Sequence, residues 1–246
     1  MMSLTEVKLA GIVKKQYFYK LKANIDSLSA LVVIQLLGIL FSLGGIVSSG
    51  SGSNGFFINI KYFSADIVII FTMIWSLVIA ITITTKPYRN YDFSFVTNRF
   101  ASNISNLCFL FTASAVGGIT AMLAGWLLKI LNSLFSDYYV YSSDFIFKDF
   151  ILGIAMTILY IFFISSFGYL IGAFVQVNKL FLLFIPILFG GLLFMEAFIW
   201  QGTAVSELLS FYFMESSMPL FLLKIVVTSA LLFSASITIL NRMEVR

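Results

Sequence analysis

Long runs of apolar residues, separated by short polar segments, dominate the chain from residue 28 onward. A helix crosses the hydrocarbon core of a bilayer, about 30 Å thick, in roughly 20 apolar residues. By that measure the pattern predicts six membrane-spanning helices, which we place at about 28–47, 65–85, 104–128, 150–175, 180–200 and 219–240. We therefore expect an all-α integral membrane protein in which residues 1–246 form a single transmembrane domain.

The segment before the first span, residues 3–22, is basic and aromatic. On a helical wheel most of its apolar side chains share one face, with lysines beside them, which predicts an interfacial helix at the inner membrane surface. A plain positive anchor preceding the first span explains the same residues, and both interpretations stay open. The first apolar run, 28–47, is too long for the core of a signal peptide, so we expect no cleavage.

Positive charge is distributed unevenly between the two sets of loops. Eleven lysines and arginines fall in the lead, the 86–103 loop, the 176–179 turn and the tail, whereas three fall in the alternate loops. Because basic residues concentrate on the cytoplasmic side, this predicts that both termini are cytoplasmic. The net charge of +4 then reflects topology and attraction to anionic membrane lipid, and it does not indicate a nucleic acid as partner.

Composition argues against several kinds of chemistry. The chain is 60% apolar and only 11% charged, it has no histidine, and Cys108 is its single cysteine. Zinc sites and imidazole-based triads therefore lack their residues, and the GxxxxGK[ST], HExxH and GxSxG motifs do not occur. We expect no catalytic residue, no metal and no cofactor bound by this chain. ATP-driven work would need a separate subunit.

The loop 86–103, KPYRNYDFSFVTNRFASN, carries six large apolar or aromatic side chains among polar ones. A short helix on the inner membrane surface would use them, with one face in the membrane and another available to a protein partner. An interfacial extension of the third span is the simpler alternative. The candidate partner-binding residues are Asp92, Phe93, Phe95, Val96, Arg99 and Phe100.

Two charged residues lie inside the last two predicted spans. Glu196 is close to the outer end of span 180–200, and Lys224 is close to the outer start of span 219–240. At about 1.5 Å per residue, both lie roughly 6–8 Å from their helix ends. Because charges inside a membrane are costly and tend to pair, we predict an intramembrane Glu196–Lys224 pair. Snorkelling of Lys224 to the outer headgroups is the alternative.

Small residues and a proline mark packing positions in the spans. Glycines at 168 and 172, and a similar stripe of small residues in the third span, predict close helix contacts. Pro186, with the pair Gly190 and Gly191, predicts a bend in span 180–200. Such a bend serves either as a gate or only as a packing feature.

This layout resembles the permease subunits of type-2 ATP-binding-cassette (ABC) exporters, and the stretch FSFVTNRFASNIS carries the motif match. Members of that family have an interfacial N-terminal helix, a cytoplasmic coupling segment and a re-entrant outer segment, which correspond here to 3–22, 86–103 and 201–218. Asp92 is the single acid where the family's coupling segment usually begins acidic. The resemblance implies a homodimer or heterodimer of permeases docked on two ATPase subunits, which hold the ATP and magnesium.

From this resemblance we expect the permease subunit of an ATP-driven exporter in the cell membrane of a prokaryote. Its cargo would be a hydrophobic or amphipathic peptide, a lipid-like molecule or a drug, and self-protection against an antimicrobial peptide would suit such a small permease. Two alternatives remain. One is a membrane module that senses or sequesters a peptide without transporting it, and the other is an ion-coupled carrier, which would need a buried acid such as Glu196 to titrate.

Overall fold

The computed structural model describes residues 9–44, 47–53, 56–62, 64–88, 99–135, 147–198, 207, 210–212, 214–215 and 217–242. Seven helices of 15 residues or more and two strands lie within these ranges. In chain order they are α1 (Leu9–Ala23), α2 (Ile25–Ser42), β1 (Val47–Ser53), β2 (Phe56–Tyr62), α3 (Asp66–Thr84), α4 (Arg99–Phe135), α5 (Phe147–Val177), α6 (Phe181–Phe198) and α7 (Met218–Arg242).

Five of these helices, α2, α3, α4, α5 and α7, are long and apolar enough to cross a membrane. The predicted span 180–200 is also helical, as α6, which has 18 residues and is not among these five candidates. The structure therefore supports a helical chain with five candidate spans. Six spans, and the side of the membrane on which the termini lie, stay predictions.

The distribution of side chains is the reverse of that in a water-soluble protein. Small polar residues such as Thr72, Ser105 and Ser165 are completely buried, whereas large apolar residues such as Leu40 and Leu231 are 62% exposed. Soluble proteins seldom expose broad apolar surfaces. Between membrane helices, however, small polar residues pack well and form hydrogen bonds. This pattern is what a bundle surrounded by lipid requires.

The connection between α2 and α3 contains a two-stranded antiparallel hairpin, for which the sequence analysis predicted no regular structure. Val47 pairs with Tyr62 and Ser53 pairs with Phe56, so the hairpin closes over two residues. The alternation of apolar and polar residues in Phe56–Tyr62 is typical of a strand. The helix before it ends at Ser42, five residues earlier than the predicted end of the first span.

Helix α3 packs most extensively against α5. Their close approach depends on glycine: a Cβ atom at Gly168 of α5 would lie 2.6 Å from the carbonyl oxygen of Leu77 and 2.9 Å from Cβ of Ala80 in α3. Gly172, one turn later, faces Thr84 and Ile81 in the same way. The predicted role of these two glycines in helix packing is confirmed.

Gln35 links three helices in the middle of the bundle. Its buried amide nitrogen, Nε2, donates to the hydroxyl oxygens of Thr72 in α3 (3.2 Å) and Thr120 in α4 (2.9 Å). It also lies 3.2 Å from the carbonyl oxygen of Gly117. Since water is absent from a bilayer core, a polar side chain there needs partners of this kind. Gln35 therefore fixes how α2 lies against α3 and α4.

Helices α4 and α5 are longer than a bilayer requires, at 37 and 31 residues. The predicted spans covered only 104–128 and 150–175, so the extra turns lie at the ends. At one end of the bundle α3, α5 and α7 end and α4 begins, and Gln176 of α5 donates there to the carbonyl oxygen of Thr84. We call it the basic end, since Lys20, Arg99 and Arg242 lie there.

Candidate functional site

The first two turns of α4 carry an unusual density of polar residues. Ser102, Asn103, Ser105 and Asn106 are all at most 7% exposed. A buried polar side chain costs free energy unless it forms hydrogen bonds. These four residues obtain their partners from three other helices, and the resulting arrangement is the most extensive polar interior among the described residues.

Lys20 of α1 enters this arrangement from one side and is only 6% exposed. Its ammonium group donates to the carbonyl oxygen of Ser102 (3.1 Å), to Oγ of Ser105 (2.7 Å) and to Oδ1 of Asn106. Hydrogen bonds from a charged donor are among the stronger ones in proteins. They hold α1 against the start of α4, where α1 makes most of its contacts.

Tyr169 of α5 enters from the other side and is completely buried. Its hydroxyl donates to Oδ1 of Asn103 (3.0 Å) and accepts from Nδ2 of Asn106 (3.2 Å). Asn103 in turn donates to Oδ1 of Asn241 in α7 (3.3 Å), and Arg99 donates to the carbonyl oxygen of Asn241 (3.0 Å). Four helices therefore meet through side-chain hydrogen bonds.

We call this set the polar cluster, defined as Lys20, Arg99, Ser102, Asn103, Ser105, Asn106, Tyr169 and Asn241. A cavity of about 250 Å³ adjoins it, lined in part by Lys20, Asn24, Asn106 and Tyr88. Tyr88 belongs to the described beginning of the predicted coupling loop. The cluster and the cavity therefore lie between the two described ends of that loop.

The predicted partner-binding residues divide into two groups. Asp92, Phe93, Phe95 and Val96 lie outside the described residues. Arg99 and Phe100 form the first turn of α4, where Arg99 joins the polar cluster and Phe100 is 47% exposed. No contact in the structure tests whether an ATPase binds there, so this assignment stays a prediction.

Lys224 pairs with an acid other than the predicted one. Its ammonium group forms an ion pair with Glu215, donates to the carbonyl oxygen of Phe211 (3.2 Å) and lies 3.8 Å from the centre of the Phe211 ring. Glu215 precedes α7 by three residues, and the search for charges within spans overlooked it for that reason. The side chain of Glu196 lies outside the described residues, so its predicted pairing stays untested.

The proposed gate residues lie in a part of α6 that makes few contacts. Pro186 lies within the helix. Cβ atoms added at Gly190 and Gly191 would meet nothing within 4 Å, in contrast to those at Gly168 and Gly172. The glycine pair is therefore not a close-packing site within the described part of the chain. Whether it forms a gate stays a prediction.

Sequence reasoning missed most of the polar cluster. It attributed Lys20 to lipid headgroups and gave no role to Asn103, Asn106 or Tyr169. The available signal was the spacing of Ser105 and Asn106, which lie three and four positions after Ser102 and so share its helix face. A polar face continuing into an apolar span indicates a buried partner.

No family model, curated protein or solved structure matches this chain. Among the described residues, no group of three or more His, Cys, Asp or Glu side chains is placed to hold a metal ion. The functional argument therefore depends on the polar cluster and on the surfaces around it.

Proposed function

We propose that this chain is the membrane-spanning permease subunit of an ATP-driven exporter of the type-2 ABC kind. In this proposal two permease subunits associate with two separate ATPase subunits, which bind the ATP and magnesium, and both termini are cytoplasmic. The cargo is a hydrophobic or amphipathic peptide, a lipid-like molecule or a drug. The basic end then faces the cytoplasm, and residues 91–100 of the 86–103 loop form the surface that the ATPase contacts.

The observation that carries this proposal is the position of the polar cluster. Arg99 and Phe100 are the last residues of the proposed docking surface, and they begin the helix that holds four members of the cluster in its next two turns. A displacement applied there would reach α1 through Lys20, α5 through Tyr169 and α7 through Asn241. A coupling element needs such a route into the bundle.

The physical reason is the cost of partial disruption. If α4 moved without α1 or α5, buried groups such as Asn106 and Tyr169 would lose partners, at about 1–3 kcal/mol for each group left unsatisfied. Concerted movement of the four helix ends avoids that cost. A push on the start of α4 is therefore expected to move the basic end as one unit rather than to bend a single helix.

The test is co-purification with the ATPase encoded beside this gene, using Phe100→Ser and, as matched control, Phe18→Ser. Both phenylalanines are about half exposed at the basic end, but Phe18 lies on α1. A buried aromatic anchor is worth about 2 kcal/mol or more, so F100S should reduce ATPase retention by roughly tenfold or more. F18S should retain it, and both variants should insert normally.

Two results would contradict the proposal in different ways. If F18S lost the ATPase and F100S retained it, the ATPase would bind at α1, and the loop 86–103 would not be the coupling element. An adjacent gene product without a Walker A loop, together with export or peptide protection that persists when ATP is depleted, would reject the ABC assignment altogether.

A further inference from the structure

An apolar groove of about 760 Å³ runs between α1 and the facing surfaces of α4 and α5. Leu9 and Val13 line it on the α1 side, and Leu107 and Phe111 line it on the α4 side. Phe111 is 52% exposed, so the groove is open to the surroundings of the bundle. Its volume lies within the range of pockets that bind small organic ligands.

The far wall of this groove is held in place by ring contacts. Phe111 and Phe162 meet edge to face with ring centres 5.6 Å apart, and Phe162 in turn packs on Phe233 of α7 at 5.2 Å. Aromatic pairs of this kind restrain one another beyond simple apolar contact. The groove therefore exists before any ligand enters it.

Lys14 is the charged residue among the described side chains that line the groove. It lies on α1, which carries four lysines and no acid over Leu9–Ala23. A ligand that matches both the apolar lining and Lys14 has a long apolar part and an anionic group at one end. Basic side chains beside an apolar surface are typical of sites for acidic lipid headgroups.

We propose that the groove binds an anionic phospholipid, with one acyl chain along the apolar wall and the headgroup phosphate beside the Lys14 ammonium. An extended peptide suits the groove less well, because its backbone amides need hydrogen-bond partners in an apolar setting. The hydroxyl of Thr112, one of the few polar groups in the lining, already donates to the carbonyl oxygen of Phe109 (2.8 Å). An acyl chain needs no such partner.

With this site, the packing of α1 against the rest of the bundle would depend on bound lipid. Lys14 and Lys20 are on the same helix, six residues apart, and Lys20 belongs to the polar cluster. A bound phospholipid would contact α1 and α4 together, along the apolar groove. It would thereby add to the contacts that hold α1 against the bundle.

The experiment is native mass spectrometry of the full-length protein, titrated with phosphatidylglycerol or with phosphatidylcholine of identical chains. The test variant is Lys14→Gln, and its matched control is Lys15→Gln, which removes the same charge from the adjacent, exposed position outside the groove lining. We expect the wild type to prefer phosphatidylglycerol. K14Q should lose about fivefold of that preference, the effect of one lysine at an anionic surface, and K15Q should keep it.

A second pair of variants tests the apolar part of the site. Cys108→Trp places a large ring in the groove and should weaken retention of both lipids, whereas Leu40→Trp, at an exposed apolar position on α2, should not. Equal effects of K14Q and K15Q would show that the preference for phosphatidylglycerol reflects the general surface charge of α1, and this would overturn the proposal. Unchanged lipid retention in C108W would overturn it as well, and competition by an apolar peptide instead of lipid would assign the groove to cargo.

Discussion

Substitution of Gly168 by alanine tests the packing on which the whole bundle depends. A Cβ atom at this position would lie 2.6 Å from the carbonyl oxygen of Leu77 and 3.1 Å from its Cα atom. Both are backbone atoms of α3, so neither can move aside as a flexible side chain would. The G168A variant must therefore separate α3 from α5, and those two helices form the most extensive contact in the structure.

Gly190 provides a control within the same chain. Replacing glycine by alanine inside a helix gains about 1 kcal/mol of helix propensity at either position. Among the described residues a Cβ atom at Gly190 meets nothing within 4 Å, so that gain is unopposed. At Gly168 overpacking costs about 1–3 kcal/mol. The difference in unfolding free energy between the two variants therefore measures the steric cost of the added Cβ atom at Gly168.

The assay is thermal unfolding of the purified protein in one detergent, followed by loss of the monodisperse fraction after heating. For a chain of this size 1 kcal/mol shifts Tm by about 2–4 °C. G168A should therefore unfold about 2–12 °C below G190A, and G190A should equal or exceed the wild type. Equal midpoints for the two variants would refute the close approach of α3 and α5 at Gly168.

Three further predictions concern topology and polar contacts. In a cysteine-free background, Ser51→Cys should react with an impermeant maleimide on intact cells, whereas Asn178→Cys should react only after permeabilisation; the reverse pattern would invert the proposed orientation. Gln35→Leu should lower Tm by about 2–4 °C, equivalent to about 1 kcal/mol of interhelical hydrogen bonding, and an unchanged Tm would show that these bonds contribute nothing. A double-mutant cycle of Glu215→Gln and Lys224→Gln should give a coupling of about 0.5–1 kcal/mol in the same unfolding assay, and strict additivity would mean that the ion pair does not stabilise the fold.

Helix positions could be predicted because an uncharged apolar run of about 20 residues is long enough to cross a bilayer and too apolar for a water-exposed segment. The prediction of 65–85 for the second span compares with Asp66–Thr84 in the structure, and 219–240 compares with Met218–Arg242. Span 104–128 was too short at its start, because the prediction assigned the residues up to Asn103 to the preceding loop, whereas the helix begins at Arg99. The polar residues from Ser102 to Asn106 are helical and buried, since other helices provide their hydrogen bonds.

Charge pairing was harder to predict than helix position. A sequence shows how deep Lys224 lies in its helix, but not which segment returns to meet it. The acid that does so, Glu215, belongs to a connection whose course depends on packing: Tyr212, three residues earlier, lies against Phe163 of α5 with ring centres 5.0 Å apart. The contact follows from tertiary structure and leaves no periodic signal.

The helices differ in how firmly the bundle holds them, and this bears on how the proposed exporter would work. Helices α1, α4, α5 and α7 are joined at the basic end by the polar cluster, in which each lost bond leaves a buried group unsatisfied. Helix α6 contacts mainly α5, and its glycine pair faces open space within the described part of the chain. In the proposed exporter, a movement that begins at Arg99 would thus displace the four joined helices relative to α6.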